Sequence, residues 1–123
     1  MSDALNRWLR TLGHSRAGTV GDLAWQPPAD IYRAPSGWLV KFDLAGVRPE
    51  DIELTASGNR LCLQGVRRDT TMLEGCRSYL MEITYNRFKR CLDLPINLDA
   101  AEITTEFREG MLLVQIQPVG EER

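Results

Sequence analysis

Residues Ser78–Pro95 read SYLMEITYNRFKRCLDLP, and the second half of that stretch decides the fold. Phe88, Arg90, Leu92 and Leu94 recur at every second position, the period of an extended strand with one buried face. Pro95 ends the pattern, since proline has no N–H to give to a sheet ladder. The first half is different in kind: a short apolar run, Tyr79-Leu80-Met81, gives way to a change from acidic Glu82 to basic Arg87. Arg90 stands among apolar neighbours on one strand face, where a charge is costly unless it is paired.

Working outward, the same alternation recurs on both sides. Trp38, Val40, Phe42 and Leu44 alternate with Leu39, Lys41 and Asp43. Ile52, Leu54 and Ala56 alternate with Glu53 and Thr55, and Leu61 and Leu63 with Cys62 and Gln64. Downstream, Ile103, Thr105 and Phe107 form one face of a strand, and Leu112, Val114 and Ile116 one face of the last. Asp30-Ile31-Tyr32-Arg33 is a shorter first strand. Turn-forming residues separate these runs at Pro35-Ser36-Gly37, Ala45–Pro49, Ser57-Gly58-Asn59 and Glu109-Gly110. No helical period intervenes, so the strands predict an antiparallel β-sandwich. One connection breaks the rhythm: the stretch from Gly65 to Arg77 is too long for a hairpin turn, where about two to five residues are usual.

The ends read differently. Leu5, Trp8, Leu9 and Leu12 have the spacing of a short amphipathic helix, with Ser2 placed to cap it and Gly13 to end it. So short a helix is marginal alone in water, so its apolar stripe needs its own domain, a second copy or another partner. Residues 17–28 shift to Gly, Ala, Thr and a Pro27-Pro28 pair, the composition of a linker. The division is an arm over 1–24, a β-domain over 25–118 and a tail over 119–123.

The chain of 123 residues is long enough for one real core, and its apolar (43%) and charged (26%) fractions are those of a globular protein. A formal net charge of −2 argues against nucleic acid as a partner. No apolar run approaches the ~20 residues that cross a bilayer, and the N-terminus lacks a signal-peptide pattern, so the expectation is a cytoplasmic protein without a membrane partner. Cys62, Cys76 and Cys91 are odd in number and lack C-x-x-C spacing, so reduced thiols are expected rather than a disulfide or zinc site. His14, the single histidine, has no partner at metal-ligand spacing. The Glu50-Asp51 and Glu121-Glu122 pairs read as solvated charges. No glycine-rich nucleotide loop is present, so no cofactor and no enzymatic activity are expected.

The order of motifs resembles the small heat-shock proteins, the family with an α-crystallin domain. The resemblance covers about residues 25–117. It is carried by W-x-P-x-x-D-I-Y (Trp25 to Tyr32), DLAGV (Asp43–Val47), GNRLCLQGVRR (Gly58–Arg68), F-x-R-x-L-x-L-P (Phe88 to Pro95) and the late Gly110-Met111-Leu112. Thr105 departs from the alanine usual five positions before that late glycine. The resemblance implies an immunoglobulin-like sandwich acting as an ATP-independent holdase for non-native client proteins. Further implied is a homodimer by strand exchange, in which Arg67–Arg77 is an arm. Ser78–Ile83, with Tyr79, Leu80, Met81 and Glu82, then pairs with Asp30, Ile31, Tyr32 and Arg33 of the second copy. Arg90 matches a structurally sensitive arginine whose expected partner is an acid, Glu82 being one candidate. A groove formed by Ile52, Leu54, Ile103 and Thr105 is implied as a docking site, and Leu5, Trp8, Leu9 and Leu12 as client-binding residues. The tail motif I/V-x-I/V of the family is matched only at Val114 and Ile116, inside the last strand. The expectation is therefore a dimer or small oligomer rather than a cage. Two other readings of the same fold are a co-chaperone module of the CS-domain kind and a capping subunit in hetero-oligomers of longer relatives.

Overall fold

The alternating segments become seven antiparallel strands in the computed structural model, which describes residues 24–69 and 73–119. They are β1 (Ala29–Ala34), β2 (Gly37–Asp43), β3 (Ile52–Ser57), β4 (Arg60–Arg67), β5 (Asn86–Asp93), β6 (Ala101–Arg108) and β7 (Met111–Pro118). Two sheets result, one ordered β1-β2-β7-β6 and the other β3-β4-β5, which is the immunoglobulin-like sandwich. The helix expected over Leu5–Leu12 and the tail beyond Val119 lie outside the described residues.

The core is the set of residues whose period placed them inward. Val40 and Phe42 of β2 and Val114 and Ile116 of β7 are fully buried, facing Leu61 and Leu63 of β4 and Phe88 of β5. Each such side chain contributes about 1.5–3 kcal/mol by leaving water. Leu44, Leu94 and Leu98 close the ends of the sandwich. Glu109 and Gly110 both have positive φ, 55° and 78°, the tight-turn geometry whose twist matches that of β6 and β7. At Gly65 a β-carbon would collide with the carbonyl oxygen of Asp51 and with the Phe88 ring, so the absent side chain lets the turn before β3 lie on β4.

Four expectations are corrected. Strand β4 continues to Arg67 rather than ending near Gly65, and Val66 is buried. Glu53 was placed on a solvent face by the alternation of β3, yet it is 7% exposed, with the Gln64 side chain donating to its Oε1 at 3.5 Å. Its neighbours Ile52 and Leu54 are only half-buried, because β3 is a sheet edge. Cys62 and Cys91 form a disulfide. They are direct cross-strand partners in the β4–β5 register, with Cα atoms 4.1 Å apart, a proximity set by register and hidden from any count of spacing along the chain. Cys76 is a free, exposed thiol.

Asp51 is the fourth correction. Its carboxylate is 11% exposed and accepts from Arg48 Nε at 3.1 Å and from Arg68 Nε at 3.0 Å, with Arg68 Nη2 reaching the second oxygen at 3.3 Å. Burial pushes the carboxyl up, but the hydrogen bonds and charges of Arg68 and Arg48 outweigh it and hold the group below its ordinary value. A lowered carboxyl contributes stability above its unfolded value of about 3.9 and loses it as pH falls through the folded value. Asp51→Asn is therefore expected to destabilise the domain by about 1 kcal/mol at neutral pH. In urea titrations that difference should shrink to nothing as pH falls well below 4, which is roughly the unfolded carboxyl value.

Candidate interaction surfaces

The edge at β1, the segment between β4 and β5 and one groove stand open among the described residues. Strand β1 pairs only with β2, leaving one row of backbone groups unpaired along Asp30, Ile31, Tyr32 and Arg33. All four are exposed, Ile31 and Tyr32 by 42% and 45%. The Arg33 guanidinium lies 5.0 Å from the Trp38 ring centre, and Lys41 Nζ lies 5.2 Å from that of Tyr32. Such an edge is a template for another strand unless something blunts it.

The connection between β4 and β5 carries the other half of a possible pairing. Its described residues 73–85 make no strand pairing within the chain. Tyr79 is fully exposed, and Leu80, Met81 and Ile83 are exposed by 72%, 62% and 63%. This is the largest concentration of exposed apolar side chains among the described residues. Glu82 is exposed in the same run.

Arg67 fixes the base from which this segment leaves, a role the sequence reading missed. Its Nε and Nη2 donate to the Thr84 carbonyl at 2.9 and 2.6 Å, and its Nη1 donates to the Ala45 carbonyl at 3.0 Å. The guanidinium also stacks 4.3 Å from the centre of the Trp25 ring. Trp25 is tied to β5 in turn, its backbone N–H donating to the Arg87 carbonyl at 3.4 Å and its own carbonyl accepting from the Lys89 backbone N–H at 3.0 Å. Its ring is tilted against Phe88, with centroids 5.3 Å apart. The only sequence signal was the Arg67-Arg68 pair at the end of an apolar run, which does not reveal what a guanidinium meets in space.

Arg90 occupies the inward face of β5, opposite Leu63, as the alternation required. Within one chain its Nη1 donates to the Pro27 carbonyl at 3.0 Å rather than to Glu82 or another acid. The reason is the path of Trp25–Pro28, which runs beside β5 and brings a backbone carbonyl to the half-buried guanidinium.

The groove lies between β3 and β6, the facing edges of the two sheets. It has a volume of about 200 Å³ and is lined by Pro49, Ile52, Leu54, Thr105, Phe107 and Leu112. Ile52, Leu54 and Thr105 were named from the sequence. Ile103 lies one strand repeat away and does not line it, while Pro49 and Phe107 do. Leu5, Trp8, Leu9 and Leu12 lie outside the described residues. No group of three or more His, Cys, Asp or Glu side chains converges among the described residues. No helix among them is long and apolar enough to cross a membrane.

The Hsp20/alpha crystallin family model matches residues 30–123. The chain belongs to the Hsp20/α-crystallin family. The spore protein SP21 of Stigmatella aurantiaca is 28% identical over 100 residues, covering 81% of this chain and 59% of its own length. The 18 kDa heat shock protein of Streptomyces albus G is 32% identical over 94 residues, covering 76% of this chain and 65% of its own. Among solved structures, hspA from Xanthomonas axonopodis superposes with a TM-score of 0.65 at 30% identity, over 77% of this chain and 95% of that one. This Hsp20-family chain thus spans under two thirds of the length of those two curated relatives. The exposed edge, the projecting segment and the groove all fall within the part matched to the family.

Proposed function

We propose that this chain is an ATP-independent holdase that acts as a dimer, capturing partly unfolded proteins on apolar surface before they aggregate. The observation that carries the reading is an exposed apolar surface beside a well-closed core: the groove of Ile52, Leu54 and Phe107 stays open while the sandwich interior is full. A holdase needs no chemistry at its site. It binds non-native states and lowers their free concentration by mass action, which requires adaptable apolar area and no nucleotide. The shared family with heat-shock proteins supports the same reading.

The assembly follows from the two unpaired features. In the proposed dimer, the segment around Tyr79–Ile83 of each copy adds a strand to β1 of the other. The exposed edge and the exposed apolar run are then covered by one two-fold contact. Alternation in an extended strand puts Tyr79, Met81 and Ile83 on one face, which would meet Ile31 on the inward side of β1. The apolar stripe Leu5-Trp8-Leu9-Leu12 supplies further client-binding surface in this reading.

The test is suppression of heat- or reduction-induced aggregation of a labile enzyme without ATP, followed by turbidity. Protection at several-fold molar excess is expected, with Leu54→Asp and Trp8→Ser each reducing it severalfold while the far-ultraviolet circular dichroism is unchanged. A folded protein that gives no protection would overturn the proposal.

A further inference from the structure

The disulfide occupies a position in the topology that gives it more than a general stabilising role. Cys62 on β4 and Cys91 on β5 have a sequence separation of 29, and the described residues 73–85 of the β4–β5 connection fall between them in the chain. Strand β5 is the edge of its sheet, held on one side by β4 and on the other only by the short bridge from Trp25. The bond therefore clasps the edge strand to its neighbour toward the far end of the ladder, five register pairs from Arg67 and Asn86, the end held by the Trp25 bridge and Arg67. Both cysteines are half-buried, so a small reductant can reach a sulfur without unfolding the core. On the inward side, Leu61, Leu63 and Phe88 keep β5 packed whichever state the sulfurs are in.

We infer that the Cys62–Cys91 pair is a redox-operated clasp that sets how firmly the edge strand β5 is held to β4. The inference goes beyond the holdase reading and does not depend on it. Opening requires a dithiol reductant. Its thiolate attacks one sulfur, the Cys62–Cys91 bond breaks through a mixed disulfide, and the second thiol of the reductant resolves it. Two electrons and two protons pass to the protein, leaving two thiols, and the reductant becomes a cyclic disulfide. In a reducing cytosol the open form is favoured; a disulfide oxidant such as oxidised glutathione closes the clasp by the reverse exchange, taking up the two electrons and two protons and leaving as two thiols. Closing the bond constrains the loop ends, which suppresses opening of the strand pair more than it changes the packed core.

The experiment uses the full chain first equilibrated with oxidised glutathione, then compared with and without dithiothreitol. Alkylation under non-reducing conditions should label one cysteine, Cys76, and three after reduction. Hydrogen exchange read by mass spectrometry should show β5 amides exchanging on the order of tenfold faster once reduced, with β2 and β7 amides nearly unchanged. A variant carrying Cys62→Val and Cys91→Val should match the reduced protein and ignore the reductant. Three labelled thiols before reduction would overturn the clasp, as would unchanged β5 protection or an equal rise across all strands. Light scattering on the same samples reports the dimer separately. A monomer would refute strand exchange while leaving the exchange data on β5 readable.

Discussion

Met81→Asp combined with Ile83→Asp is expected to convert the dimer to a folded monomer. Both side chains are more than 60% exposed in the single chain, so the substitutions remove little from the monomer's own packing. In the proposed strand-exchanged dimer they would lie on the face that turns toward Ile31 of the other copy. Burying each contributes about 1.5–3 kcal/mol, and the two-fold symmetry counts every position twice. The summed loss corresponds to at least about four orders of magnitude in dissociation constant. Light scattering at micromolar concentration should therefore report half the wild-type mass, with circular dichroism still that of a β-sandwich. An unchanged mass would mean that the segment is not the dimer contact. Substitutions in the groove, such as Leu54→Asp, should leave the mass at that of the dimer, since the groove lies on the opposite edge of the sandwich from β1.

The second large effect is expected at Phe88. Its ring is fully buried, packs against Trp25 at 5.3 Å and sits over Gly65 on the neighbouring strand. Phe88→Ala leaves a cavity where the two sheets and the incoming linker meet, and such truncations cost about 3–5 kcal/mol. Against a domain stability of roughly 5–15 kcal/mol, that is a large share. The melting temperature should fall by roughly 10–25 °C, measured in the Met81→Asp/Ile83→Asp background so that dimer concentration does not enter. Phe88→Leu, which refills most of the volume, should lose about a third as much or less. A variant with alanine that melts within about 3 °C of its parent would show that this contact does not hold the core.

Much of this fold was written in two-residue periods. Val40 and Phe42, Leu61 and Leu63, and Val114 and Ile116 sit inward as their alternation required, because a strand with one dry face leaves little choice of register. What the sequence hid were relations between distant residues. Cys62 meets Cys91 only because β4 and β5 pair in one register, and an odd number of cysteines pointed the other way. Arg67 and Arg90 were conspicuous as charges near apolar runs, yet their acceptors are backbone carbonyls of Thr84, Ala45 and Pro27, which leave no mark in a sequence. Asp51 looked like one of two adjacent solvated acids until Arg68, just past the end of β4, came within 3.0 Å. The groove was legible at Ile52 and Leu54, but which inward residue of β6 faces it depends on how the sheets stack, so Phe107 replaced Ile103.

The central claim is that apolar surface on a folded sandwich holds non-native protein without nucleotide. Size-exclusion chromatography with light scattering, run on a heat-labile enzyme warmed together with this protein and no ATP, reads that claim directly. The account predicts a soluble complex containing both chains, heavier than either alone, and a matching loss of enzyme from the pellet. Enzyme that pellets completely while this protein elutes at its unchanged mass would contradict it.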